Sequence, residues 1–143
     1  MKRMAKAMIL IAAITMMFSV AALAANQVYV AIYMANGVKN NSYDNEKPDD
    51  GDYKAYVTPM DANGNSQSTV FPNGGTLYAR ARLTSNAANV YSPLFTFTPA
   101  SHKGQSKTYG AGMAKFGANY HLRTEVENCR IGNGASQWIR WCP

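Results

Sequence analysis

Histidine is nearly missing from this chain: His102 and His121 are the only two in 143 residues. A serine or cysteine nucleophile needs a base placed against it, so hydrolysis by that route would rest on these two side chains. His102 lies in the polar run Ser101-His102-Lys103-Gly104, and His121 alternates with Arg123 along an extended stretch. Both read as surface histidines. No G-x-S-x-G elbow, P-loop or H-E-x-x-H sequence is present. Glu125 and Glu127 share a strand face about 7 Å apart, but glycosidase carboxylates flank a cleft from both sides of the scissile bond. They read instead as partners for Arg123 and Arg130. The expectation is no enzyme, no catalytic residue and no cofactor.

Long apolar runs are equally scarce, with one exception at the start. Lys2, Arg3 and Lys6 are followed by Met8 to Leu23 without a formal charge, and then by the small-x-small pattern Ala22-Leu23-Ala24. This three-part order is that of a secretory signal peptide over residues 1–24. The run falls short of the roughly 20 residues of a spanning helix, and no second run follows it. The expectation is a secreted single domain over residues 25–143, extracellular or held at the cell surface and not membrane-spanning. Nucleic acid is excluded as a partner by export and by the lack of any base-reading motif.

Removing the signal leaves eleven basic and eight acidic residues, a net charge of +3 against +6 for the whole chain. Residues 26–61 carry net −3 and residues 62–143 carry net +6. A basic back half suits an acidic surface such as phospholipid head groups or teichoic acid, or is a solvated strand face. Cysteine is as rare as histidine. Cys129 and Cys142 are an even pair in an exported chain, which predicts a disulfide. A bridge closing about 14 residues contributes roughly 3 kcal/mol in the chain-entropy model. The matching hairpin would set Cys129 opposite Cys142 around a four-residue loop at 134–137.

What the chain has in abundance is alternation. Over residues 76–85, Leu77, Ala79, Ala81 and Leu83 fall on one face and Tyr78, Arg80, Arg82 and Thr84 on the other. Residues 28–34 set Val28, Val30, Ile32 and Met34 against Tyr29 and Tyr33. Residues 53–58 and 120–126 extend the pattern, with shorter strands expected at 68–71, 94–98 and 138–141. Gly, Asn and Pro punctuate the gaps. An antiparallel all-β sandwich or barrel follows. Residues 35–52 lack periodicity and read as a long exposed loop.

Two loops invite a metal reading. Asp44, Glu46, Asp49, Asp50 and Asp52 cluster in nine residues, and hard cations want six to eight oxygens. Their spacing fits no defined calcium loop, so the solvated loop is preferred. Asp61-Ala62-Asn63-Gly64 opens like an EF-hand, but Ser66 and Pro72 stand where Gly and Glu are required. A turn accounts for it. The better lead is aromatic: Tyr29, Tyr33, Tyr56 and Tyr78, with Arg80 and Arg82, form a candidate surface for carbohydrate, lipid or protein. Whether these tyrosines face out or line the core stays open at this level.

The segment Arg82-Leu83-Thr84 with Asn86, then Gly110-Ala111-Gly112, Glu125-Val126-Glu127-Asn128, and Gly134 with Trp138 resembles a family of small secreted proteins of unknown function from Gram-positive bacteria. The likeness spans about residues 78–138. Val90-Tyr91 stands where that family has a Trp, and the cysteine pair lies outside its pattern. The resemblance implies export and an all-β fold. Ala111-Gly112-Met113-Ala114-Lys115 is also similar to the A-G-x-W-A-K-A segment of lactococcin-972-like bacteriocins, with Met113 and Phe116 departing from it. That likeness implies antibacterial action on the envelope of competitors. The leading expectation is a secreted non-enzymatic protein binding an envelope component, with the antibacterial role as its rival.

Overall fold

The computed structural model describes residues 27–47, 53–61, 63–65, 74–132 and 134–143. The signal segment, Asp49, Asp50 and Asp52 of the acidic run, and the strand expected at 68–71 lie outside the described residues.

Eight strands carry the fold: β1 (Gln27–Tyr33), β2 (Asn40–Glu46), β3 (Lys54–Met60), β4 (Thr76–Leu83), β5 (Phe95–Phe97), β6 (Gln105–Thr108), β7 (Asn119–Glu127) and β8 (Ala135–Cys142). They form two four-stranded antiparallel sheets, β1-β8-β3-β6 and β2-β7-β4-β5. The result is a sandwich of open sheets, with no closed barrel. No α-helix occurs among the described residues, and none there is long and apolar enough to cross a membrane. Of the consecutive strands, only β4 and β5 are neighbours in one sheet; every other link passes from layer to layer.

Alternation sorts each strand into a core side and an outer side. On β4 the inward row is Leu77, Ala79, Ala81 and Leu83, as the sequence pattern requires. On β7, Leu122, Thr124 and Val126 point inward with Tyr120. Phe95 and Phe97 of β5 extend this layer, and against it lie Ala55 and Val57 of β3 and Ile139 and Trp141 of β8, all fully buried. Each large aliphatic or aromatic side chain buried this completely contributes about 1.5–3 kcal/mol. Phe95 and Phe97 stack with their centroids 6.4 Å apart.

The face of β1 left open by the sequence is settled in favour of the tyrosines. Tyr29, Ala31 and Tyr33 face the core, with Tyr33 at 0% exposure, while Ile32 is 60% exposed. Both faces of this strand are apolar enough to be buried, so period two alone does not choose between them. The rings win because they cover more area and their hydroxyls find acceptors. Tyr33 donates to Thr124 Oγ1 at 2.8 Å, and Tyr29 donates to the Asn41 carbonyl at 3.2 Å.

The predicted disulfide is absent: Cys129 and Cys142 are not bridged, and both are buried. Strands β7 and β8 belong to different sheets, so no terminal hairpin exists to align them. Cys129 lies where β1 finishes; its N–H donates to Asn36 Oδ1 and its carbonyl accepts from Asn36 Nδ2. Its Cβ sits where a side chain on Gly75 would have to go, and Gly75 holds φ +108°, a conformation open to glycine. Cys142 lies beside Tyr56, at the end of β8 where β1 begins. The length of β8, on the order of 20 Å, separates thiols whose Cα atoms must approach within about 7 Å to be bridged.

The expected loop over 35–52 is also corrected, because β2 runs through it. Lys47 directly after β2 is fully buried. Its ammonium donates to the backbone oxygens of Lys54 and Pro143 at 3.1 and 3.0 Å and lies over the rings of Tyr109 and Phe116.

Candidate functional site

The six residues singled out as a binding surface divide among four places. Tyr33 is core and Tyr29 lines the core at the sandwich margin. Tyr56 is half-buried on the outer side of β3, opposite Cys142 and Ser106. Tyr78, Arg80 and Arg82 remain together on the outer side of β4. Only this last group forms part of a site.

Neighbouring strands complete it. The β4–β7 register places Tyr78 opposite Glu125, Arg80 opposite Arg123, and Arg82 opposite His121. Tyr91 comes from the segment before β5 and pairs with Arg82 across an isolated bridge. Its ring is flanked by two guanidinium groups, with centroid distances of 4.6 Å to Arg80 and 5.6 Å to Arg82. These cation–π contacts hold both side chains against the sheet. Arg80, Arg82 and Arg123 then line an open depression of about 240 Å³, walled also by Lys39, Tyr78 and Glu125.

Like charges directly opposite on neighbouring strands are destabilising, so the compensation of these groups matters. Arg82 donates from Nη1 to the Ala87 carbonyl at 2.9 Å, and Arg123 donates from Nε to Asn41 Oδ1 at 3.1 Å. The Nε groups of Arg80 and Arg82 are shielded from solvent and have no acceptor. Among the described residues no carboxylate closes to ion-pair distance on any of the three guanidinium groups. Arg82 is held below the usual arginine range, first by desolvation and then by the charges of Arg123 and Arg80. Glu125 and Glu127 flank Tyr78 and, after desolvation, push its phenol upward.

The row continues into a polar cluster. Thr84 donates to Asp44 Oδ1 at 2.7 Å and lies 3.4 Å from His121 Nδ1. Burial lowers the His121 pKa, as does Arg123, while Asp44 opposes them. The threonine proton is committed to the carboxylate, so the imidazole is not placed to withdraw it. This order differs from a nucleophile–histidine–acid relay, where the base stands in the middle. His102 is spent on the Pro99 carbonyl, with Nδ1 at 3.0 Å.

Of the metal candidates, Asp44 is engaged with Thr84, and no group of three or more ligating side chains is found among the described residues. Asp61 closes a turn: its Oδ1 accepts the backbone N–H groups of Asn63 and Asn65, both at 2.9 Å. The Asn65 N–H is the chief reason its carboxyl lies below the usual range. A separate surface feature is the outer row of β1, where Val28, Val30 and Ile32, followed by Met34 just past the strand, are exposed beside Trp138 of β8.

Sequence reasoning found Tyr78, Arg80 and Arg82 because they alternate on one strand. It missed Lys39, Tyr91 and Arg123 as members of the same site, since their proximity depends on register between distant strands. No family model matches the chain, and no match is found among curated proteins or solved structures.

Proposed function

We propose that the chain is an exported, non-catalytic binding protein of the cell envelope or its surroundings, and that the outer side of β4 and β7 is its binding surface. The observation carrying this reading is the alignment of Arg80 with Arg123, with Arg82 next in line and, among the described residues, no carboxylate at ion-pair distance from them. Such a cluster costs stability unless a ligand compensates it. The ligand class is therefore anionic, with Tyr78 and Tyr91 offering ring surface beside the charge. The apolar signal-like start supports export, and the lack of a placed base supports binding over catalysis.

The test is retention of the protein over residues 25–143 on isolated cell-envelope material. Retention should weaken with added salt and fall in Arg80→Ala and Arg123→Ala proteins. Equal retention of wild type and variants would overturn the assignment of the surface. Applying the same protein to related strains separates passive binding from antibacterial action, since growth inhibition at low concentration would overturn the passive reading.

A further inference from the structure

Resting on that reading, we propose that the depression between β4 and β7 takes a phosphate monoester group, gripped jointly by Arg80, Arg82 and Arg123. A guanidinium fork matches a carboxylate and a phosphate equally well, so fork geometry alone does not choose. The number of cations does. Three guanidinium groups line one depression of about 240 Å³, with Lys39 in its wall. A carboxylate brings one charge and two coplanar oxygens. A phosphate monoester brings nearly two charges and three strong acceptor oxygens pointing in different directions, which suits forks arriving from two strands.

The site is also prepared for such a ligand. Tyr91 holds the Arg80 and Arg82 groups in place, so little side-chain freedom remains to be lost on binding. Their Nε groups are already withdrawn from water without gaining an acceptor. Part of the hydration that normally competes with an anion is thereby gone, and the cationic field is stronger for it. Glu125 stands at the rim beside Tyr78 and leaves the guanidinium groups unpaired. Repulsion between Arg80 and Arg123 is released when a dianion enters. Binding and stability are therefore coupled in opposite senses at this one cluster.

That coupling gives the test. Thermal melting of the protein over residues 25–143 is measured in inorganic phosphate and in sodium chloride of matched ionic strength. Phosphate should raise the wild-type melting temperature beyond the chloride control. Arg123→Gln should melt higher than wild type without phosphate and gain nothing from it, with phosphate affinity reduced about tenfold to hundredfold. Arg80→Lys keeps the charge, loses the fork, and serves should the first variant not fold; its affinity should fall about tenfold. Flotation with phosphatidylcholine vesicles, with and without phosphatidic acid, separates the sources. A response to phosphatidic acid alone assigns the group to a lipid head, and a response to inorganic phosphate assigns it to a soluble ester. No response to either, or an equal response in wild type and Arg123→Gln, overturns the proposal. Envelope retention that is lost in Arg123→Gln without any phosphate response would keep the binding surface and sink the phosphate assignment. A phosphate response without envelope retention would do the reverse.

Discussion

Arg80 on β4 and Arg123 on β7 stand directly opposite each other in antiparallel register. Nothing in the core requires this, because both side chains are on the outer side of the sheet. Cross-strand pairs of like charge oppose folding, while Arg123 gains a bond to Asn41 and Arg80 a ring contact with Tyr91. The repulsion is thus tolerated and not relieved.

Replacing Arg123 by Gln at low salt should raise the unfolding free energy by roughly 0.2–1 kcal/mol, the size of a cross-strand pair term. The gain should shrink as salt is added, because the removed interaction is screened. Urea unfolding at two ionic strengths measures both. A variant less stable at low salt would show that the Asn41 bond outweighs the repulsion.

Protonation of His121 should weaken the fold. It is faced by Arg82 of β4, Asp44 of β2, Arg123 on its own strand and Thr84 after β4. Burial and the two arginines lower its pKa below the ordinary value of about 6.5. The unfolded chain therefore binds this proton more readily than the folded one. The contribution is fully present above pH 6.5 and is lost as pH falls through the lowered value. His121→Gln should flatten this part of the stability–pH curve, measured by urea unfolding. An unchanged slope would refute the assignment.

Reducing agent should leave the melting temperature unchanged. Alkylation of the unfolded protein without reductant should label both Cys129 and Cys142, as read by intact mass. Burial raises the Cys129 thiol pKa, so its labelling in the folded state should be slow. A mass gain appearing only after reduction would mean that the thiols are bridged.

Lys47→Met should destabilise the protein by roughly 1–3 kcal/mol, because two backbone oxygens, one of them in a buried contact, lose their donor. Phosphate affinity should stay at the wild-type value, since Lys47 is remote in register from the guanidinium cluster. Denaturant unfolding and phosphate titration together check the two halves of this expectation.

The strands that sequence reasoning found, and those it missed, differ in a physical property. β4 and β7 are inner strands with one buried face, so their apolar residues repeat at every second position. β2 (Asn40–Glu46) and β6 (Gln105–Thr108) are polar edge strands. Pairing with β7 and β3 holds them, supplemented by contacts such as Leu122 N–H to Ser42 Oγ at 2.8 Å. Their strand character comes from a partner and leaves little apolar imprint. The terminal cysteines misled for a related reason. Fourteen residues suggested a hairpin, but β7 and β8 belong to different layers. The arginine cluster was half legible, as neighbours along β4; the half supplied by β7 depended on register.

The passage of nearly every link from one layer to the other has a consequence for the order in which this molecule can be built. β8 is the last strand in the chain, yet it lies between β1 and β3, and no other described strand of its sheet touches β1. A chain emerging amino end first therefore cannot finish that layer until residues 135–142 have appeared. β1 must wait, unpaired by its sheet neighbour, through the arrival of nearly everything between. Such long waits are entropically costly and make assembly slow. They also favour a nascent molecule that stays unfolded until it is complete, the condition in which a polypeptide can be threaded through a narrow channel.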